Sequence, residues 1–150
     1  MRSGGVGRRA STSRVRVKAD LKGLAAVFDA YDRFALAHPI PDRIRRDVYV
    51  ALEEIVSNVF RHGSRRRTPH VAVSLSIDAR TFEVEIVDDG PPFDPFAASL
   101  PDTTVPLLER QEGGLGILLV DRLTDEHGYV RRANRNRVTL RRALPAKKKR

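Results

Sequence analysis

The chain has 150 residues, a formal net charge of +9 and no cysteine. That length builds one domain with a real core and is too short for two comfortable ones, and the lack of cysteine excludes disulfides and thiolate metal sites. No apolar run reaches the length of a membrane span, the N-terminus has no apolar signal-peptide core, and the four histidines show no HxxxH pairing for zinc, so the expectation is a cytoplasmic protein with no membrane contact.

Residues 1–13 are Gly, Ser and Arg with almost nothing to bury, which reads as a disordered leader. Arg14 to Lys18 alternates as RVRVK, with Val15 and Val17 on one face, as a first strand at a sheet edge would. Asp20 can cap the helix that follows, whose apolar stripe is read as Leu21, Leu24, Ala25, Phe28, Tyr31, Phe34 and Ala35, ending at His38-Pro39. A second helix starts at Pro41-Asp42, with Asp42 as N-cap, and stops at Gly63. Ile44, Val48, Leu52, Ile55 and Val59 form its core-facing stripe. HVAVSLSI (His70 to Ile77) and TFEVEIV (Thr81 to Val87) alternate cleanly and are joined by the short Asp78-Ala79-Arg80 link, so they form an antiparallel hairpin. Asp88-Asp89-Gly90-Pro91-Pro92-Phe93-Asp94-Pro95 cannot be regular structure. Residues 95–112 form a long irregular segment that ends at Gly113-Gly114-Leu115-Gly116 and leads into a short helix through Ile117, Leu118, Val120 and Leu123. Two strands close the domain, about Glu126 to Arg131 and Asn136 to Arg142, and residues 145–150 are a basic tail. The class is α+β, with helices on one face of a mixed, largely antiparallel sheet.

The positive charge sits at the ends. Residues 1–18 hold six Lys/Arg and residues 131–150 hold ten, neither with an acid, which leaves 12 bases against 19 acids between them. Two solvated basic termini are expected, with contact to nucleic acid or an acidic partner as the alternative. No aromatic cluster suited to base stacking accompanies the charge, so nucleic acid is not the expected partner.

Three features can carry chemistry. Glu54 and Asn58 are four apart in the second helix and stack on one flank of its stripe. Such a pair can build a small site or can satisfy backbone groups at a helix–sheet seam. The alternation Phe82, Val84, Ile86 extends to Asp88, which places a carboxylate inward; it could cap a turn or accept a hydrogen bond from an exocyclic amine. Gly114 and Gly116 open a helix, where backbone N–H groups and the dipole favour an anion, or where a junction simply needs glycine. In this order, with the long segment between, these features supply an oxygen ligand for Mg2+, a base, an amine acceptor, a cover and a phosphate cradle.

ALEEIVSNVFRHG, VDDGPPFDP, EGGLGILLV and NRVTLRR together resemble the small ATPase domains of the GHKL superfamily, from about Val15 to Leu144, and most resemble the anti-sigma-factor serine/threonine kinases. The resemblance implies a Bergerat fold, a two-layer α/β sandwich, binding ATP and Mg2+. It implies that Asn58 coordinates Mg2+ and that Glu54 is the general base. Asp88 would accept from the adenine amine and Gly90 would shape its loop. Gly114 and Gly116 would lie beside the phosphates, residues 95–112 would form the ATP lid, and Arg110 would lie near the γ-phosphate. His62-Gly63 matches a helix-end pair with a structural role. The implied partners are a sigma factor or similar regulator and a STAS-domain anti-anti-sigma protein; a homodimer is compatible with the resemblance. Pro92 replaces the second Gly of the usual Asp-x-Gly-x-Gly, so the loop should be stiffer and lose one backbone donor. No histidine sits in a dimerisation-helix context, which argues against an autophosphorylating histidine kinase. The expected function is an ATP-dependent serine/threonine kinase acting as an anti-sigma factor. The alternatives are a nucleotide-gated binding module without catalysis and a nucleic-acid binder driven by the basic ends.

Overall fold

The computed structural model describes residues 10–62, 67–97 and 114–147, with the backbone alone at 62 and 114–116. The elements are β1 (Ser11–Lys18), α1 (Leu21–Ala37), α2 (Asp42–His62), β2 (His70–Ile77), β3 (Thr81–Asp88), α3 (Gly114–Leu123), β4 (Glu126–Arg132) and β5 (Arg135–Ala143). They form a two-layer α+β sandwich with one five-stranded sheet in the order β1-β2-β3-β5-β4. All four pairings are antiparallel, so the expected mixed sheet contains no parallel pair among the described residues. The reason lies in the last strand. β3 and β4 run the same way on either side of α3, but β5 turns back from β4 and inserts between them.

β1 begins at Ser11, so residues 11–13, read from the sequence as leader, belong to the sheet, paired with Ile77, Ser76 and Leu75. Their small polar side chains carry no alternation that would announce a strand. Asp20 caps α1, with Oδ1 accepting from Gly23 N at 2.7 Å. Gly23 lets the helix start against the sheet edge: a Cβ there would lie 1.8 Å from Lys18 O. The buried face of α1 is Gly23, Val27, Ala30, Tyr31, Phe34 and Ala35. The expected stripe is therefore rotated: Leu21 is 86% exposed, Ala25 is exposed, and Leu24 and Phe28 flank the core. α2 begins one residue earlier than expected. Pro41 O accepts the first helical bond, from Arg45 N, so Asp42 is the first helical residue and not the cap.

The α2 stripe is as the spacing predicts. Ile44, Val48, Leu52 and Ile55 are buried, and Val59 packs at the core margin. They meet the inward faces of β2 and β3, where Phe82, Val84 and Ile86 are almost wholly covered. Tyr31 joins the two long helices by donating to Arg45 O at 2.6 Å. Arg142, third in the inward row after Val138 and Leu140, ends that row with charge. It pairs with Asp47 of α2 at 3.1 Å and donates to Leu123 O at the end of α3. α1 lies over β1 and β2, while α2 lies over β3 and β5 with α3 against it. The space between α2 and the β3–β5 pair is where the polar residues of the core collect.

Candidate functional site

Among the described residues four buried polar or charged ones stand out against the apolar core, and three of them meet at one cleft: Asn58, Asp88 and Asn136. Ile55 and Val59 of α2 form one wall, Ile86 and Val138 form the floor, and Gly90 to Pro95 form the rim. The cleft is narrow, about 380 Å³ with the open solvent at its mouth included, at the lower end of the range usual for small-molecule pockets.

Asp88 is the last residue of β3 and faces inward, as the alternation predicts. Its Oδ1 accepts from Gly90 N at 2.9 Å and from Asn136 Nδ2 at 3.0 Å. The turn role and the pocket role thus coexist: Oδ1 holds the turn, and Oδ2 has no donor among the described residues. Burial pushes the carboxyl above the usual carboxylate range, against the bonds from Asn136 and Gly90 and the charge of Arg131. Gly90 has a steric reason to be glycine, because a Cβ would lie 2.9 Å from Asp88 Oδ1. Asp89 points the other way. Its carboxylate accepts from His70 N at 2.7 Å and pairs with Arg67 at 3.2 Å. Asp94 is a turn residue, with Oδ1 accepting from Phe96 N.

Asn136 is the site residue that the sequence reading missed. It is 3% exposed, and its amide is saturated. Nδ2 donates to Asp88 Oδ1 and to Pro91 O, while Oδ1 accepts from Tyr129 OH at 2.7 Å and Phe93 N at 3.2 Å. Arg131 adds a bond to Gly90 O at 2.9 Å. The Gly90–Phe93 loop is therefore held by hydrogen bonds on both sides of Pro92. The signal was present: the inward row Leu140, Val138 continues to position 136.

Asn58 is 8% exposed and Glu54, one turn earlier, is half-buried. Neither side chain makes a hydrogen bond or an ion pair among the described residues. Among the described residues, then, no backbone group at the helix–sheet seam is satisfied by either side chain. Asn58 lines the cleft with Asp88 and Gly90; Glu54 is not among the lining residues. No group of three or more His, Cys, Asp or Glu among the described residues could hold a metal. An uncommitted carboxamide oxygen suits Mg2+, which takes one or two protein oxygens and completes its shell with water and phosphate.

Gly114 and Gly116 lie in the first turn of α3, so the helix begins two residues before Gly116. α3 packs on α2, the helix that carries Glu54 and Asn58. Arg110, Gly63 and residues 98–112 of the expected lid lie outside the described residues.

No curated protein matches this chain. A solved structure, that of the RsbU and RsbW domains of Rv1364c from Mycobacterium tuberculosis, matches with a TM-score of 0.61 and 16% identity over 91% of this chain. The match takes in 34% of the other chain, so this chain spans about a third of its length, and at that identity the likeness is one of fold. The sequence profile of the histidine kinase-like ATPase domain matches residues 17–142, from the second half of β1 to the end of β5. The chain belongs to the histidine kinase-like ATPase domain family.

Proposed function

We propose that this domain binds ATP with Mg2+ in the cleft between α2 and the β3–β5 pair, and that it is a serine/threonine protein kinase acting as an anti-sigma factor on a STAS-type antagonist. The observation that carries the nucleotide reading is the polar chemistry of one cleft: among the described residues Asp88 Oδ2 has no donor and the Asn58 amide no partner, in a pocket whose one other polar side chain, Asn136, is saturated. Apolar walls with a few placed polar groups suit a flat heterocycle carrying one amine. In this reading Asp88 accepts from the adenine amine, and Asn58 offers its oxygen to Mg2+. Gly114 and Gly116 let the backbone of α3 approach phosphate, and Arg110 adds charge near the γ-phosphate. Bound Mg2+ supplies neutralisation of phosphate charge. Glu54 takes the proton from the attacking hydroxyl, and phosphoryl transfer asks for little more than such positioning.

Glu54 stands off the cleft, and that placement favours a second reading: a nucleotide-gated module that sequesters a regulatory protein without chemistry. The two separate in one experiment, using purified chain, radiolabelled ATP and candidate STAS-domain proteins. In the kinase reading Asn58→Ala weakens Mg2+-dependent ATP binding about tenfold or more. Glu54→Asp spares binding and slows transfer roughly 100-fold. ATP binding without any phosphorylated protein selects the module, and unchanged ATP binding in Asn58→Ala removes both.

A further inference from the structure

The helices cover one face of the sheet, and the other face is built from the alternate residues of all five strands. Its rows follow from the register. Arg16 stands opposite Ala72, Ala72 opposite Val87, Val87 opposite Arg137, and Arg137 opposite Val130. Two arginines thus flank a small apolar strip, three strand spacings or about 14 Å apart. The neighbouring rows add Arg14 and Lys18 on β1, Arg135 on β5 and Arg132 on β4.

The acids of this face are already committed. Glu85 pairs with Arg137 at 2.8 Å, Glu83 and Glu126 share Arg141 at 2.6 and 3.2 Å, and Asp89 holds Arg67 and the His70 amide. Arg14, Arg16, Lys18, Arg132 and Arg135 are exposed and make no ion pair among the described residues. The charge left over is therefore positive, and it lies around a shallow groove lined by Arg14, Arg16, Ala72, Val87 and Arg135, together with His70 and the two carboxylates already held by their own partners, Asp88 and Asp89. A second copy presenting this same face would meet it with like charge. Nucleic acid would meet the Glu83–Glu85–Glu126 half of the same face and would find no Phe, Tyr or Trp among its described residues for stacking.

We propose that this open face docks an acidic segment of another protein. Carboxylates of the segment meet Arg14 and Arg16 on one side and Arg135 on the other, and an apolar side chain between them lies over Ala72 and Val87. The contact is made on the open face and the nucleotide cleft lies on the helix-covered side; Asp88, at the end of β3, lines both.

The test is fluorescence anisotropy of the full chain at low salt with a labelled peptide, Glu-Glu-Leu-Glu-Glu, and its Ser-centred analogue. Arg16→Glu with Arg135→Glu should weaken binding of the Leu peptide about tenfold. The Ser peptide should bind several-fold more weakly than the Leu peptide. Lys147→Glu with Lys149→Glu, in the basic tail, should change binding by less than about twofold. ATP binding should be the same in both variants, and a chain that binds no ATP at all leaves the peptide result intact. Where charge reversal disturbs the circular dichroism spectrum, Arg16→Gln with Arg135→Gln takes its place. The proposal fails if the tail variant loses as much as the face variant, if Leu and Ser peptides bind alike, or if binding does not saturate. It fails too if a random-sequence DNA duplex displaces the peptide through the same arginines.

Discussion

Asn136 Nδ2 donates to Asp88 Oδ1 at 3.0 Å across 48 residues of sequence. The bond joins β5 to β3 at the end of the sheet where the cleft lies. It also fixes the rotation of the carboxylate, leaving Oδ2 without a donor among the described residues.

Replacing Asn136 by Ala removes four hydrogen bonds, those from Phe93 N and Tyr129 OH and those to Asp88 Oδ1 and Pro91 O. Each group left buried and unpaired costs about 1–3 kcal/mol. The expected outcome is a clear fall in denaturant midpoint, together with weaker ATP binding even at temperatures where the variant stays folded. Urea titration and calorimetric binding measure the two separately.

Asp88→Asn should stabilise the protein and disable the cleft. The carboxyl's folded pKa is raised by burial, so its contribution is favourable below the unfolded value, near 3.9, and is lost as pH rises through the folded one. A neutral isostere removes that loss while keeping an oxygen for Gly90 N and Asn136. The variant should melt higher than the parent near neutral pH, and the gap should close as pH falls to around 4. Its ATP affinity should fall about tenfold or more. A variant that melts lower at neutral pH would contradict the account of Asp88.

Asp89 works with the opposite sign. Burial alone would raise its carboxyl, but the His70 amide, the charges of Arg67 and His70 and the Arg67 bond hold it below the usual range. Its contribution is present above the unfolded pKa and lost as pH falls through the folded one. Asp89→Asn should narrow the stability lost between about pH 5 and pH 2 in acid titration followed by circular dichroism.

Gly90→Ala places a methyl group 2.9 Å from Asp88 Oδ1. The carboxylate must rotate or the loop must lift, at a cost of about 1–3 kcal/mol. ATP affinity should drop several-fold, and thermal scans with and without ATP distinguish loss of fold from loss of binding.

The turn between β4 and β5 is the simplest place to add stability. Arg132 pairs with Arg135, and the two residues between them, Ala133 and Asn134, both have positive φ, 52° and 58°. This is the type I′ pattern, in which alanine is a poor first residue. Ala133→Gly should raise stability by up to about 1 kcal/mol, or roughly 2–4 °C in Tm.

Much of this was legible before any coordinates. Asp88 was placed by extending an alternation by one residue, and the α2 stripe by its three- and four-residue spacing. Asn136 escaped because an Asn at the start of a strand, just after Ala133-Asn134, reads as turn chemistry. The same extension used for Asp88 would have found it. The α1 stripe was rotated because Leu21 and Ala25 fit the period equally well; only the approach of Gly23 to Lys18 decides which side faces the sheet. The strand order could not be read, because β3 and β5 recognise each other across the span from 88 to 136, and no local pattern records which edge a hairpin will choose.

The insertion of β5 between β3 and β4 has a temporal consequence. A chain made from its N-terminus holds Asp88 long before it holds Asn136, and until then β3 is an open sheet edge with unpaired backbone groups. The last strand is a keystone. Closing the sheet and completing the cleft are one event, so a nascent or truncated chain lacking β5 would be at once prone to association and unable to hold a nucleotide.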